Sequence, residues 1–92
     1  MAVIVEQEVS ETRLYIRAAD GKTVEIFPTE VLNYFNSISG DEATRRILTR
    51  DYIKNKCVTT LTISNISFYE IDVDFDISTG QITQFATGDI NS

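Results

Sequence analysis

The chain has 92 residues, of which 42% are hydrophobic, with five Phe, four Tyr, eight Lys/Arg, fourteen Asp/Glu and no histidine, for a net charge of −6. That composition excludes a disordered polymer, and an acidic balance without a basic stripe argues against direct nucleic-acid binding, because Lys and Arg supply most of that affinity. The length predicts one domain over residues 1–92, close to the lower size for independent folding.

Cys57 is the single cysteine, so an intramolecular disulfide and a multi-thiolate zinc site are both excluded. The opening Met-Ala-Val-Ile-Val-Glu lacks the basic and long apolar parts of a secretory signal. No stretch has the length of a membrane span. The expectation is a soluble, unprocessed cytoplasmic protein with no membrane partner.

In chain order, Val3, Val5 and Val9 predict a first strand, and Leu14, Ile16 and Ala18 alternate with Arg13, Tyr15 and Arg17 as a second. A hairpin follows. A three-residue loop of Ala19, Asp20 and Gly21, with the glycine left-handed, would set Ile16 against Val24, Leu14 against Ile26 and Tyr15 against Glu25. A two-residue loop would set Ile16 against Glu25, so the apolar face selects the longer loop. Pro28 ends the third strand, and Thr29 is placed to cap a short helix with Val31, Leu32, Phe35 and Ile38 on one face.

Ser39-Gly40-Asp41-Glu42 matches a capping box in which the serine oxygen receives the Glu42 amide. A second helix is predicted from about 40 to 55. Its apolar side would be Ala43, Ile47, Leu48, Tyr52 and Ile53, and its basic side Arg45, Arg46, Arg50, Lys54 and Lys56, with cations toward the end where the helix dipole favours them. Beyond Cys57, Leu61 and Ile63 alternate with Thr60 and Thr62, which reads as a strand. Ser78-Thr79-Gly80 marks a turn, and a return strand from Gln81 to Ala86 places Ile82 beside Ile77. Residues 87–92 read as a frayed tail. The predicted fold class is α+β: an N-terminal hairpin, two helices, and a C-terminal three-stranded antiparallel meander, with the helices packed on one face of the sheet.

The conspicuous segment is 68–77, Phe-Tyr-Glu-Ile-Asp-Val-Asp-Phe-Asp-Ile. In an extended strand, Glu70, Asp72, Asp74 and Asp76 share one face, and Tyr69, Ile71, Val73, Phe75 and Ile77 share the other. Residues 57–92 hold five acids and no base, whereas 1–56 hold nine acids and eight bases. Same-face carboxylates about 6.6 Å apart repel by roughly 0.6 kcal/mol per pair in water. Packing does not call for such a row. A solvated outer face is one reading, and a contact surface for a basic partner is the other.

Catalysis has little to work with. Without histidine there is no imidazole base, metal ligand or pH switch near neutrality, and Cys57 has no partner for nucleophilic activation. Asp72, Asp74 and Asp76 start like a calcium loop, but Ile77 stands where that loop needs glycine and Thr83 where it needs glutamate. Asp-x-Asp alone does not make a magnesium-dependent phosphoryl-transfer site, and no glycine-rich phosphate loop is present. No enzyme activity, cofactor or metal is expected.

The sequence therefore predicts a small non-enzymatic interaction protein. Its Glu70, Asp72, Asp74 and Asp76 would bind a basic protein surface. One form is an inhibitor occupying the nucleic-acid groove of an enzyme, as acidic phage or mobile-element proteins do, because the acid spacing approximates the phosphate repeat of roughly 6 to 7 Å. The alternative is a structural subunit, a homo-oligomer assembling through sheet edges and a contact between the basic helix (Arg45, Arg46, Arg50, Lys54) and the acidic strand of another copy. A carboxylate-dependent metal site is the minor alternative.

Overall fold

The computed structural model describes residues 4–61 and 71–86. Three strands, β1 (Ile4–Val9), β2 (Leu14–Ala18) and β3 (Thr23–Ile26), form an antiparallel sheet in that order. The loop between β2 and β3 has the length that the apolar alternation requires: Leu14 opposes Ile26, Tyr15 opposes Glu25 and Ile16 opposes Val24. Gly21 closes it at φ 91°, and the Ala18 amide donates to the Lys22 carbonyl at 2.9 Å.

The first strand departs from its simple alternation. Ile4 pairs with Ala18 but Glu6 already pairs with Arg17, so a bulge at Val5 flips the strand's parity. Ile4 consequently enters the core, whereas Val5, expected inside, is 52% exposed. Val3 lies outside the described residues. The bulge also sends Glu6 and Glu8 to the outer face, where Arg17 meets Glu6 at 3.0 Å and Arg13 meets Glu8 at 3.4 Å and Glu25 at 2.5 Å.

Helix α1 (Pro28–Ser37) starts with Phe27 as N-cap and Pro28 in its first turn, with no side-chain cap. The expected Thr29 cap is not used. Proline presets the helical φ and lacks the amide that a cap would satisfy, so the helix begins earlier than Thr29 would allow. Val31 and Phe35 are buried, Leu32 is half-buried, and Ile38 is already extended.

Helix α2 (Glu42–Leu61) is capped by Asp41, not Ser39: the Thr44 amide donates to Asp41 Oδ1 at 2.8 Å and the Arg45 amide to the Asp41 carbonyl at 3.0 Å. The helix also absorbs Val58 to Leu61, whose last residues the alternation assigns to a strand. Thr49, Ile53, Cys57 and Leu61 follow one another at four-residue spacing, and all four are buried. This seam prevails over the β-branched composition of Val58, Thr59 and Thr60, because helix propensity differences are small beside packing. Thr49 and Thr59 return their hydroxyls to the Arg45 and Asn55 carbonyls at 2.8 and 2.7 Å. Ala43, Ile47 and Leu48, expected on the apolar side, are exposed instead.

Strands β4 (Asp72–Phe75) and β5 (Ile82–Ala86) form an antiparallel pair. Asp74 opposes Gln84 and Phe75 opposes Ile82, so Thr83 is an extra residue and Ile82 lies beside Phe75, not Ile77. The expected three-stranded C-terminal meander is, among the described residues, two-stranded; residues 62–64 of its first strand lie outside them. The three-stranded sheet is the N-terminal one.

The architecture is thus α+β, with α2 packed against β3 and β4, α1 against α2, and β1 beside β5. Gln7 Nε2 bridges that last junction by donating to the Phe85 carbonyl at 2.9 Å. Leu14, Ile16, Ile26, Val31, Ile53, Leu61 and Val73 fill the centre, and Phe35 meets Phe75 edge-on at 5.7 Å.

Candidate functional site

Strand β4 presents Asp72 and Asp74 on its outer face because Val73 and Phe75, with Ile71 just before the strand, are drawn into the core. Asp72 is exposed, and Gln84 Nε2 donates to its Oδ2 at 2.7 Å across the strand pair. Asp74 is half-buried against α2: Arg50 donates to its Oδ1 at 3.3 Å, Arg46 lies 3.9 Å away, and the Phe75 amide donates at 2.9 Å. Asp76 has left the strand. Its Oδ1 accepts from the Ser78 hydroxyl at 2.6 Å and the Ser78 amide at 2.7 Å, and these bonds hold its carboxyl below the usual carboxylate range. Glu70 lies outside the described residues. Within the described residues, regular alternation brings only Asp72 and Asp74 onto one strand face.

The basic residues of α2 are distributed among three tasks. Arg45 lies over the Phe35 ring at 4.1 Å and donates from Nε to the Phe35 carbonyl at 3.3 Å, joining α2 to the end of α1. Arg46 and Arg50 face Asp74, with Arg46 also 3.8 Å from Glu42 one turn back. Both Nε atoms are buried without an acceptor. Lys54 is half-buried, further along the helix. Helix and acidic strand therefore meet within one chain, which is the contact the self-assembling alternative would have made between copies. A shallow concavity of about 370 Å³ beside this contact is lined by Glu42, Ala43, Arg46, Ile47 and Arg50.

One cluster escapes the sequence reading. Glu30 of α1 accepts from the Tyr52 hydroxyl at 2.5 Å and from Lys56 Nζ, and Tyr34 stacks on Tyr52 at 4.2 Å. Burial alone would raise the Glu30 carboxyl, but the bonds from Lys56 and Tyr52 hold it below its ordinary value. The Glu30 bond, with burial second, pushes Tyr52 up to about 12. The only available signal was the four-residue spacing of Glu30 and Tyr34, and of Tyr52 and Lys56, which gives each helix a matching pair on one face.

Cys57 is 2% exposed, and burial pushes its thiol up to about 12, which makes it a core side chain without thiolate character at neutral pH. Among the described residues no group of three or more His, Cys, Asp or Glu side chains is placed to hold a metal ion, and no helix is long and apolar enough to cross a membrane. Compared with protein-family models, with curated proteins and with solved structures, the chain matches none.

Proposed function

We propose that this is a non-enzymatic interaction protein whose carboxylates on and around β4 engage a basic protein surface. One observation carries the reading: the cations are largely committed within the chain. Arg13, Arg17, Lys22, Arg46, Arg50 and Lys56 each face a carboxylate of their own chain, while Asp72 and Asp76 bond to the neutral groups of Gln84 and Ser78. The negative charge of Asp72 and Asp76 is therefore available at the hairpin, where it would steer a cationic partner and favour one orientation of approach. In its specific form, the partner is a nucleic-acid-binding enzyme and the hairpin competes for the basic groove.

The test replaces Glu70, Asp72 and Asp76 by Gln, Asn and Asn and retains Asp74, which pairs with Arg46 and Arg50. Wild type and variant, matched for folding by circular dichroism, are compared in capture of native partners identified by mass spectrometry. A basic partner held by the wild type and lost by the variant, with DNA competing, supports the reading. Equal capture by both removes it.

A further inference from the structure

A guanidinium carries five N–H donors, and among the described residues Arg46 places none of them within hydrogen-bonding reach of an acceptor. Its ion pairs, Nη1 to Glu42 Oε2 at 3.8 Å and Nη2 to Asp74 Oδ1 at 3.9 Å, are charge contacts too long for hydrogen bonds, and its Nε is buried without a partner. Arg50, one turn on, uses a single donor: its Nη2 reaches the same Asp74 oxygen at 3.3 Å, and its Nε is likewise buried and unpaired. That oxygen also accepts from the Phe75 amide at 2.9 Å, so two guanidinium groups and an amide converge on one acceptor. Buried donors left unmet are costly, and native folds avoid them. Two of them side by side at a concavity point to an acceptor supplied from outside the chain.

Both arginines line the concavity of about 370 Å³, together with Glu42, Ala43 and Ile47. Their side chains are 35% and 33% exposed, and Ile47, at 55%, forms an open apolar wall beside exposed Ala43. We infer that this concavity binds a small monocarboxylate bearing an apolar chain, the carboxylate held by Arg46 and Arg50 and the chain laid on Ala43 and Ile47. Guanidinium forks match a carboxylate with two parallel N–H···O bonds. In the side-on form of that pairing the donors are Nε and one Nη, so a small rotation of Arg46, which no hydrogen bond holds, brings its idle Nε into use.

Charge selects a monoanion. Asp74 and Glu42 already balance the two arginines, so the site offers unmet donors rather than net positive potential, and a phosphate dianion would be repelled by both carboxylates more strongly than a carboxylate is. The ligand displaces Glu42, whose side chain is 60% exposed and whose pairing with Arg46 one turn away contributes little. Asp74 stays, held by Arg50 and the Phe75 amide. The concavity is shallow and lies at the small end of ligand sites, so the affinity is of millimolar order. This site is independent of Asp72 and Asp76, and the Glu70, Asp72, Asp76 variant keeps it.

An NMR titration of the full, isotopically labelled chain tests the inference, with hexanoate, acetate and inorganic phosphate added separately at constant pH and ionic strength. The readouts are the Nε–H signals of Arg46 and Arg50 and the amides of residues 42–50. Hexanoate is expected to shift them saturably and to bind about tenfold more tightly than acetate, because its extra methylenes lie on Ala43 and Ile47. Arg46→Gln should abolish the shifts, and Arg46→Lys, which keeps the charge without the fork, should weaken binding about tenfold; both are checked for unchanged thermal unfolding. Glu42→Gln alters an exposed side chain and removes the competing carboxylate, so it should tighten hexanoate severalfold, a response that a purely structural arginine pair would not give. The absence of a saturable hexanoate shift overturns the inference. So does binding that survives Arg46→Gln, a Glu42→Gln protein that binds no more tightly than wild type, acetate that binds as tightly as hexanoate, or phosphate that binds more tightly than either.

Discussion

The β2–β3 and β4–β5 hairpin turns use the same local device under different constraints. Gly21 and Gly80 stand at φ 91° and 80°, and each turn has an aspartate accepting from an amide two residues on, Asp20 from Lys22 at 3.0 Å and Asp76 from Ser78 at 2.7 Å. Around Gly21 a β-carbon would meet nothing within 4 Å. At Gly80 it would lie 2.1 Å from the Pro28 carbonyl oxygen and 2.9 Å from the Leu32 β-carbon. The first glycine supplies a backbone angle. The second supplies that angle and the space through which the β4–β5 turn seats on the start of α1.

Gly80→Ala should therefore have the largest effect of any single-methyl addition at these turns. The left-handed angle costs an alanine about 1 to 2 kcal/mol, and forcing a methyl against backbone adds about 1 to 3 kcal/mol. A combined loss of about 3 kcal/mol or more is expected in urea unfolding. Trimming Leu32 to Ala in the same chain should recover little, because the closest obstacle is a main-chain oxygen. A Gly80→Ala protein within about 1 kcal/mol of wild type would show that α1 yields at this seat, and the contrast between the two turns would fail.

This contrast also marks what the sequence made legible. The β2–β3 hairpin was readable because loop length and apolar alternation agree on a single register, with Ile16 opposite Val24. The β4–β5 hairpin was readable as a hairpin but not in register, since Thr83 is accommodated as an extra residue opposite the Asp74–Phe75 step. Nothing local in Gln81-Ile82-Thr83-Gln84 announces that. The α2 seam was hidden because its members include Thr49 and Cys57, while the more hydrophobic Ile47 and Leu48 face outward. The acidic strand was legible as a pattern of faces, but the partners of its carboxylates depend on contacts across the fold. Arg46 and Arg50 come from a helix distant in sequence, and Asp76 is taken by a turn.

Helix α1 is held on its other side by Glu30, and that contact sharpens the comparison through pH. Glu30→Gln removes the ionic partner of Lys56 and weakens the bond from Tyr52, and should cost about 2 kcal/mol, the scale of a charge-assisted hydrogen bond. A carboxyl held below its ordinary value contributes its full stabilisation above the unfolded-state pKa and loses it as pH falls through the folded-state value. Glu30 is such a group. Wild-type stability should therefore fall as pH drops below the ordinary carboxylate range, and more steeply than that of Glu30→Gln. Identical acid slopes would mean that Glu30 contributes no proton linkage and that α1 depends on its Gly80 seat and apolar face.

Gly21→Ala carries the smallest expected effect and the cleanest information. Its angle penalty is similar to that at Gly80, because the two φ values, 91° and 80°, are close. Part of the penalty is offset, since alanine narrows the unfolded ensemble by about 0.4 to 1 kcal/mol. A net loss of about 1 kcal/mol is expected, with the β2–β3 register intact by amide exchange. The unfolded-state term applies equally to both glycines, so subtracting the Gly21→Ala loss from the Gly80→Ala loss leaves the cost of pressing one methyl against α1. A difference above about 1.5 kcal/mol assigns the second turn's rigidity to packing. Equal losses would assign both turns to backbone angle alone and leave Gly80 with no more than the role of Gly21.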